Sequence, residues 1–130
     1  MTVPFWCVFV QLVLVWAWRL PVTLAMAKAP AGLDNHYPRQ QQALLSGFGA
    51  RAHAANQNLI ESIAPFGLSV VIAHLAHADP TKSAALAVAH VVLRLVYAGL
   101  YLGNLPTLRS AVWIASYLTV LGQLVIAALV

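Results

Sequence analysis

Four long runs of apolar residues constrain the fold of this chain more than any other feature. The runs cover approximately Val3 to Ala27, Asn58 to Ala78, Ser83 to Gly103 and Leu105 to Val130. About 20 helical residues cross the roughly 30 Å core of a bilayer, so each run is long enough to span it. No alternating strand pattern with regular turns occurs, which favours helices over a closed barrel. The sequence therefore predicts an all-α membrane protein, a bundle of four transmembrane helices formed by one domain over residues 1–130.

The composition leaves too little charge for a soluble surface. Hydrophobic residues make up 62% of the chain and charged residues 8%, and the mean hydropathy is +0.81. We therefore expect a multi-pass integral protein in contact with membrane lipid. The start MTVPFWCVFV has no charged leader, so we expect the first run to be retained rather than cleaved. Arg19 and Pro21 near its end predict a kink or an early end of that helix.

One long polar connection, about residues 28–57, separates the first two runs. Pro30, Gly32 and Pro38 indicate that its first part is loop, whereas QQQALL and RAHAANQN are compatible with helix that lengthens the second span.

The few charges of the connections predict the orientation of the chain. The long connection carries Lys28, Arg39 and Arg51 against Asp34, the connection ADPTK is balanced, and the third lies beside Arg109. By the positive-inside rule, the first and third connections face the cytoplasm and both termini lie outside.

Polar residues form a seam near the cytoplasmic end of three predicted helices. On the second helix, Asn58 and Glu61 are three residues apart, and Arg51 lies one heptad before Asn58. Residues three, four and seven apart share a helix face. The other seams are His90, Arg94, Tyr97 and Tyr101 on the third helix and Arg109, Trp113, Ser116, Val120 and Gln123 on the fourth.

Each of these residues also has a purely structural interpretation. Glu61 and Arg94 are placed to pair as a bridge between two helices, which for Arg94 is the more natural role. Tyr97 and Tyr101 fit an interfacial aromatic belt, and Arg109 fits an anchor at a helix start. Taken together they favour a site, because separate anchors need not gather a carboxylate, an amide, phenols and guanidinium groups at one membrane depth.

Two segments in this region carry a family resemblance. RAHAANQNLIESIAPF, residues 51–66, resembles the arginine, asparagine, glutamate and proline signature of the second helix in the MAPEG family, the membrane-associated proteins in eicosanoid and glutathione metabolism. RLVYAGLYLGNLPTLRSAVW, residues 94–113, resembles the second signature of that family. DNHYPRQ, residues 34–40, is similar to the loop of its bacterial branch.

The resemblance implies a homotrimer of four-helix protomers, with glutathione bound between neighbouring subunits near the cytoplasmic face. Family members join glutathione to lipophilic electrophiles, reduce lipid hydroperoxides or isomerise a lipid endoperoxide. The expected protein is therefore a membrane-bound glutathione transferase or peroxidase, with glutathione as co-substrate. The bacterial loop implies the bacterial inner membrane.

The resemblance also assigns roles to particular residues. Arg109 matches the arginine that stabilises the glutathione thiolate, and Glu61 matches the residue that receives the glutathione amino group. Arg94 is expected to support the site. The expected glutathione-binding residues are Arg51, Asn58, Glu61, Tyr97, Tyr101 and Ser110.

One position departs from the family pattern. Catalytic relatives often carry an arginine seven residues before the glutamate, where this chain has Ala54. We therefore expect weaker binding of the glutathione carboxylates, unless Arg19, Arg39 or Arg51 replaces the missing guanidinium group. A lipid-binding member of the fold without catalysis is therefore an alternative.

A small four-helix exporter that couples drug efflux to protonation of Glu61 is an alternative from another class. In such carriers the glutamate lies well inside the first helix, whereas Glu61 opens the second. Arg51 and Arg109 would also make its surroundings electropositive, which disfavours cationic drugs.

The remaining motif candidates point to structural roles. Cys7 is the single cysteine, so no disulfide within the chain and no cysteine metal cluster is expected. His74 and His77 lie beside Asp79, but an interfacial position explains them better than a metal site. The isoelectric point is near 9.7, yet the basic residues are scattered, so we expect no nucleic-acid partner and explain the charge by anionic lipid headgroups.

Overall fold

A computed structural model describes all 130 residues of the chain, and helices are its only regular secondary structure. Four segments are long and apolar enough to cross a membrane, at Val3–Ala27, Gly47–Leu75, Pro80–Leu102 and Pro106–Ala128. The all-α, four-span fold expected from the sequence is thus confirmed. The helices are α1 (Val3–Ala17), α2 (Arg19–Ala27), α3 (Pro38–Ala43), α4 (Gly47–Leu75), α5 (Pro80–Leu102) and α6 (Pro106–Ala128).

The first span consists of two helices that meet at Trp18, which agrees with the break expected near Arg19 and Pro21. Pro21 has no amide hydrogen, so it cannot donate to the carbonyl four residues earlier. Trp18 closes α1 by donating its amide to the Leu14 carbonyl at 2.8 Å. The chain then resumes as α2, in which Pro21 falls in the first turn, where an amide partner is not needed.

Helix α4 begins at Gly47, well before the predicted start of the second span near Asn58. The segment RAHAANQN is helical, and the non-helical part of the long connection is correspondingly shorter. Small residues allow this extension, because Ala52 is fully buried against Val22 and Met26 of α2. A side chain at Gly49 would approach Cβ of Ala25 to 3.0 Å, so the two helices are in close contact here.

Two short connections make α4, α5 and α6 antiparallel neighbours. His77 and Asn104 adopt left-handed backbone conformations, with φ of 56° and 57°, where each preceding helix ends. Pro80 and Pro106 then open the next helices, in a position that needs no amide hydrogen. The end of the bundle with residues 28–46 and 103–105 is called the loop end below, and the end with both termini and residues 76–79 is called the terminal end.

The interior is narrow and the outer surface is apolar. One core cluster combines Phe66 and Val70 of α4 with residues of three other helices, namely Cys7, Ala87, Val91 and Val120. Large apolar side chains such as Leu68, Val92 and Leu118 are exposed on the outside of the bundle. Such a surface suits lipid rather than water.

Candidate functional site

Arg94 of α5 is the central polar group at the loop end. Its side chain is 1% exposed, and its guanidinium donates to the Asn58 carbonyl at 3.0 Å and to the Asn58 side-chain oxygen. A further contact reaches Ser116 Oγ at 3.4 Å. The guanidinium also lies 4.5 Å from the centre of the Tyr97 ring. Arg94 therefore ties α5 to both α4 and α6.

This contact fixes the orientation of the Asn58 amide. A guanidinium has only hydrogen-bond donors, so the Asn58 side chain must present its oxygen to Arg94. The amide nitrogen of Asn58 is then directed elsewhere and is available as a donor. Asn58 is half-buried and lines the cavities described below.

Tyr97, Tyr101 and Arg109 form an aromatic and cationic stack where α5 meets α6. The tyrosine rings pack edge to face with their centres 5.6 Å apart. The Arg109 guanidinium lies 4.2 Å from the centre of the Tyr101 ring. A ring face attracts a cation without using its hydrogen-bond donors. Arg109 makes no side-chain hydrogen bond in the protomer, so its donors are available to an anion.

Two cavities surround these residues and share Asn58 and Trp113. The smaller has a volume of about 170 Å³ and the larger about 420 Å³. The smaller is lined by Asn58, Glu61, Ser62, Pro65, His90, Arg94, Trp113, Ser116, Tyr117 and Val120. The larger is lined by Asn58, Tyr97, Arg109, Ser110, Trp113 and Ile114.

Most of the candidate residues from the sequence converge on these cavities. Glu61 is exposed and lines the smaller one, together with Arg94. The ion pair that the sequence suggested between Glu61 and Arg94 does not form, because Arg94 donates to Asn58 and Ser116 instead. Tyr101 lies behind Arg109 rather than in either lining.

Arg51 lies away from both cavities. Its Nε donates to the Leu102 carbonyl at 3.2 Å, at the last residue of α5. This bond satisfies one of the carbonyls that a helix end leaves unpaired, so within the protomer Arg51 joins α4 to the end of α5.

Four lining residues were not among the candidates, namely Ser62, Pro65 and Tyr117 in the smaller cavity and Ile114 in the larger one. Tyr117 lies four residues after Trp113 on α6, and the two rings stack with centres 5.7 Å apart. This spacing was a readable signal, because residues four apart share a helix face. Pro65 is the proline of the signature in residues 51–66, whereas Ser62 follows Glu61 directly and shows no pattern that separates it from other helix residues.

The chemistry of the site is that of anion recognition beside an apolar wall. It offers a free guanidinium on Arg109 and an amide donor on Asn58, with a carboxylate at Glu61 for a cationic group. No group of three or more His, Cys, Asp or Glu side chains could hold a metal ion.

Comparison with known families decides the class of the protein. The model of the MAPEG family matches residues 3–129. The chain belongs to the MAPEG family. MAPEG proteins are trimeric membrane bundles with glutathione-related transferase, peroxidase or related functions, and they use glutathione as a substrate. No curated protein and no solved structure matches the chain.

Proposed function

We propose that this MAPEG protein is a membrane-bound glutathione transferase or peroxidase that acts on lipophilic electrophiles or hydroperoxides. The observation that carries the proposal is that Arg109 and Asn58 line one cavity of about 420 Å³. Arg109 has a free guanidinium group, and Asn58 has a free amide donor. That combination suits a peptide that carries carboxylates and a thiolate.

Arg109 is the proposed catalytic residue. The thiolate is the nucleophile, and a free cysteine thiol with a pKa of about 8.5 is mostly protonated at neutral pH. A guanidinium near the sulfur favours its ionised form, and low water content strengthens the attraction. The thiol proton leaves to solvent, the sulfur then forms a bond to the electrophilic carbon, and the leaving group departs with the bonding electrons. With a hydroperoxide, the thiolate attacks the terminal oxygen and the O–O bond breaks, so that the alkoxide leaves and takes up a proton to become the alcohol. A second glutathione thiol then attacks the sulfenic acid, which gives the disulfide and water.

The other residues are proposed to bind the peptide. The free amide nitrogen of Asn58 would donate to a carbonyl or carboxylate, and Glu61 would receive the ammonium group. Ser110 already donates its hydroxyl hydrogen to the Pro106 carbonyl at 3.0 Å, so towards a ligand it acts as an acceptor. Tyr97 and Tyr101 would wall the site and position Arg109.

The second substrate would enter from the bilayer, past Trp113 and Ile114. Both side chains are exposed and line the larger cavity. We further propose a homotrimer in the bacterial inner membrane with this site near the cytoplasmic face. A neighbouring protomer would then cover the open side of the cavity and complete the contacts to glutathione, including those proposed for Arg51.

The thiolate is the direct test of this function. Glutathione bound to the detergent-solubilised protein should show ultraviolet thiolate absorbance near neutral pH. In Arg109→Ala the pKa of the bound thiol should rise, and the rate at pH 7 should fall about tenfold to hundredfold. Arg109→Lys keeps the charge and should retain part of the signal. If no thiolate absorbance appears at saturating glutathione, the catalytic role proposed for Arg109 is ruled out.

A lipid-binding protein without turnover is the second candidate, and Ala54 is the observation that favours it. The position lacks the arginine common in catalytic relatives, and Ala54 lines neither cavity. Ala54→Arg should tighten glutathione binding if the missing guanidinium limits it.

Glu61→Gln separates the glutathione function from proton-coupled export. In a glutathione enzyme the change lowers tripeptide affinity and leaves drug efflux unaffected. In an exporter it abolishes pH-dependent efflux. If it alters neither property, Glu61 has no role in either function.

A further inference from the structure

A separate polar cavity of about 650 Å³ lies at the loop end, where α2, α3 and α4 meet. It shares no lining residue with the two cavities around Asn58. Only one of its lining residues is hydrophobic. The lining consists of Arg19, Pro38, Arg39, Gln42, His53, Gln57 and Ile60.

The charge of this cavity is entirely basic. Its lining contains two arginines and no carboxylate. Arg51 and Arg94 donate to protein oxygens, whereas no side-chain hydrogen bond joins Arg19 or Arg39 to the protein. Two guanidinium groups with free donors at one concave surface favour an anion with several oxygens.

Gln42 gives an independent indication of a missing acceptor. Its side chain is 5% exposed, and its Nε2 atom is buried without a hydrogen-bond partner. His53 Nδ1 in the same lining is also buried and unpaired. A buried donor without a partner costs about 1–3 kcal/mol. An anion in the cavity would supply an acceptor to Gln42.

The position of the cavity identifies the source of the anion. Arg19 lies within the apolar segment Val3–Ala27, and Ile60 on the rim is 43% exposed just before Glu61. Beside Arg19, Leu20 is 60% exposed on the outside of α2. The cavity therefore lies where apolar helix surface meets the polar connection, at the depth of lipid headgroups.

We propose that this cavity binds the phosphate of an anionic phospholipid. The two guanidinium groups and the Gln42 amide donate to the phosphate oxygens, and the acyl chains lie along the exposed apolar side of α2 and Ile60. The site holds a structural lipid at the cytoplasmic end and shares no lining residue with the two cavities around Asn58.

Spin-labelled lipids would test the site in bilayers of phosphatidylcholine. The protein should immobilise labelled phosphatidylglycerol in preference to labelled phosphatidylcholine. The double variant Arg19→Gln/Arg39→Gln should lower that preference about tenfold. Gln42→Glu should also abolish it, because the new carboxylate repels phosphate at almost unchanged side-chain volume. Unchanged thermal stability and oligomeric state would show that the variants remain folded.

Lys28→Gln is the matched control, because Lys28 belongs to the same connection but not to this lining. Its lipid preference should equal that of the unaltered protein. An equal loss in Lys28→Gln and the double variant would mean general surface charge and would overturn the proposal. Displacement of labelled phosphatidylglycerol by inorganic phosphate or by glutathione would assign the cavity to a soluble anion and overturn it as well.

Discussion

The two ends of the bundle contain cavities of equal volume but different chemistry. Each encloses about 420 Å³. The cavity at the terminal end is lined by Phe5, His74, His77 and mostly small or apolar residues, without a guanidinium or carboxylate. The cavity at the loop end contains Arg109 and Asn58.

The polar contacts near these cavities differ in the same way. At the terminal end, Ser83 Oγ donates to Gln123 at 2.9 Å, and Gln123 donates back to the Ser83 carbonyl at 2.8 Å. This pair joins α5 to α6 and includes no charged group. At the loop end, the terminal nitrogens of Arg94 donate to protein oxygens, whereas no side-chain hydrogen bond joins Arg109 to the protein. A cationic group with free donors, rather than volume, therefore distinguishes the proposed site.

The largest effect is expected from removing Arg94. Arg94→Met leaves the Asn58 oxygens without their charged donor and should lower the free energy of unfolding by about 3 kcal/mol. Glutathione affinity should fall with it, because the Asn58 amide loses its orientation. Thermal unfolding in detergent and a glutathione titration would measure both.

Arg109→Met is the control for that variant. It removes the same group from a position without hydrogen bonds to the protein, so stability should stay nearly constant while the thiolate is lost. Equal destabilisation by the two variants would contradict the division between a supporting and a catalytic arginine.

A smaller effect is expected at the terminal end. Gln123→Leu opens the closed pair with Ser83 and should cost about 1 kcal/mol of stability, with no change in glutathione turnover. Ser83→Ala and the double variant Ser83→Ala/Gln123→Leu complete a double-mutant cycle, whose coupling energy measures the interaction between the two side chains. A loss of turnover in these folded variants would show that the ends are not independent.

Tyr101 tests the stack that holds Arg109. Tyr101→Leu removes a ring contact worth about 1 kcal/mol and should lower kcat about fivefold. Tyr101→Phe keeps the ring face and should retain most of the activity. If the phenylalanine variant is as impaired as the leucine variant, the hydroxyl group rather than the ring is responsible.

The smallest effect is expected from Asp79, which caps α5. The amides of Lys82 and Thr81 donate to its carboxylate at 2.9 Å each, and they hold its pKa below the ordinary value of 3.8. A depressed pKa stabilises the folded state above pH 3.8, and this contribution disappears as the pH falls through the lower, folded value. Asp79→Ala should therefore lower the melting temperature slightly at neutral pH.

The same pH dependence provides the check on that variant. The difference in melting temperature between Asp79→Ala and the unaltered protein should shrink at low pH, because the protonated carboxyl is a weaker acceptor than the carboxylate. Asp79→Asn retains a neutral acceptor for the amides, so its melting temperature should be intermediate at neutral pH. A difference that does not change with pH would show that the ionised form of the cap contributes nothing.

The four spans were predictable because their apolar length is a local property of the chain. The convergence of Asn58, Glu61, Arg94 and Arg109 was also readable, since antiparallel helices with short connections bring known helix ends together. The sequence allowed for the helical extension of α4 through RAHAANQN, but its start at Gly47 was harder to predict. It depends on the packing of Ala52 and Gly49 against α2, which sequence spacing alone does not reveal.

The hydrogen-bond partners inside the site could not be read from the sequence. Arg94 was equally compatible with Glu61 and with Asn58, because both face it from the same side of α4. Steric fit between side chains decides that choice. Gln11, which is fully buried in α1, donates to Ser62 at 2.8 Å. A polar residue within an apolar run is expected to face the interior, but the sequence did not identify its partner.

The break at Trp18 gives the molecule two separately packed interiors. Val22 and Met26 pack with Ala52 beyond the break, whereas Cys7 packs with Phe66 before it. Amide hydrogen exchange should therefore resolve two cooperative units, with α2, α3 and the first turns of α4 opening without the rest. Local opening of that unit would expose the cavity lined by Arg19 and Arg39, while the packing around Arg94 and Arg109 stays in place.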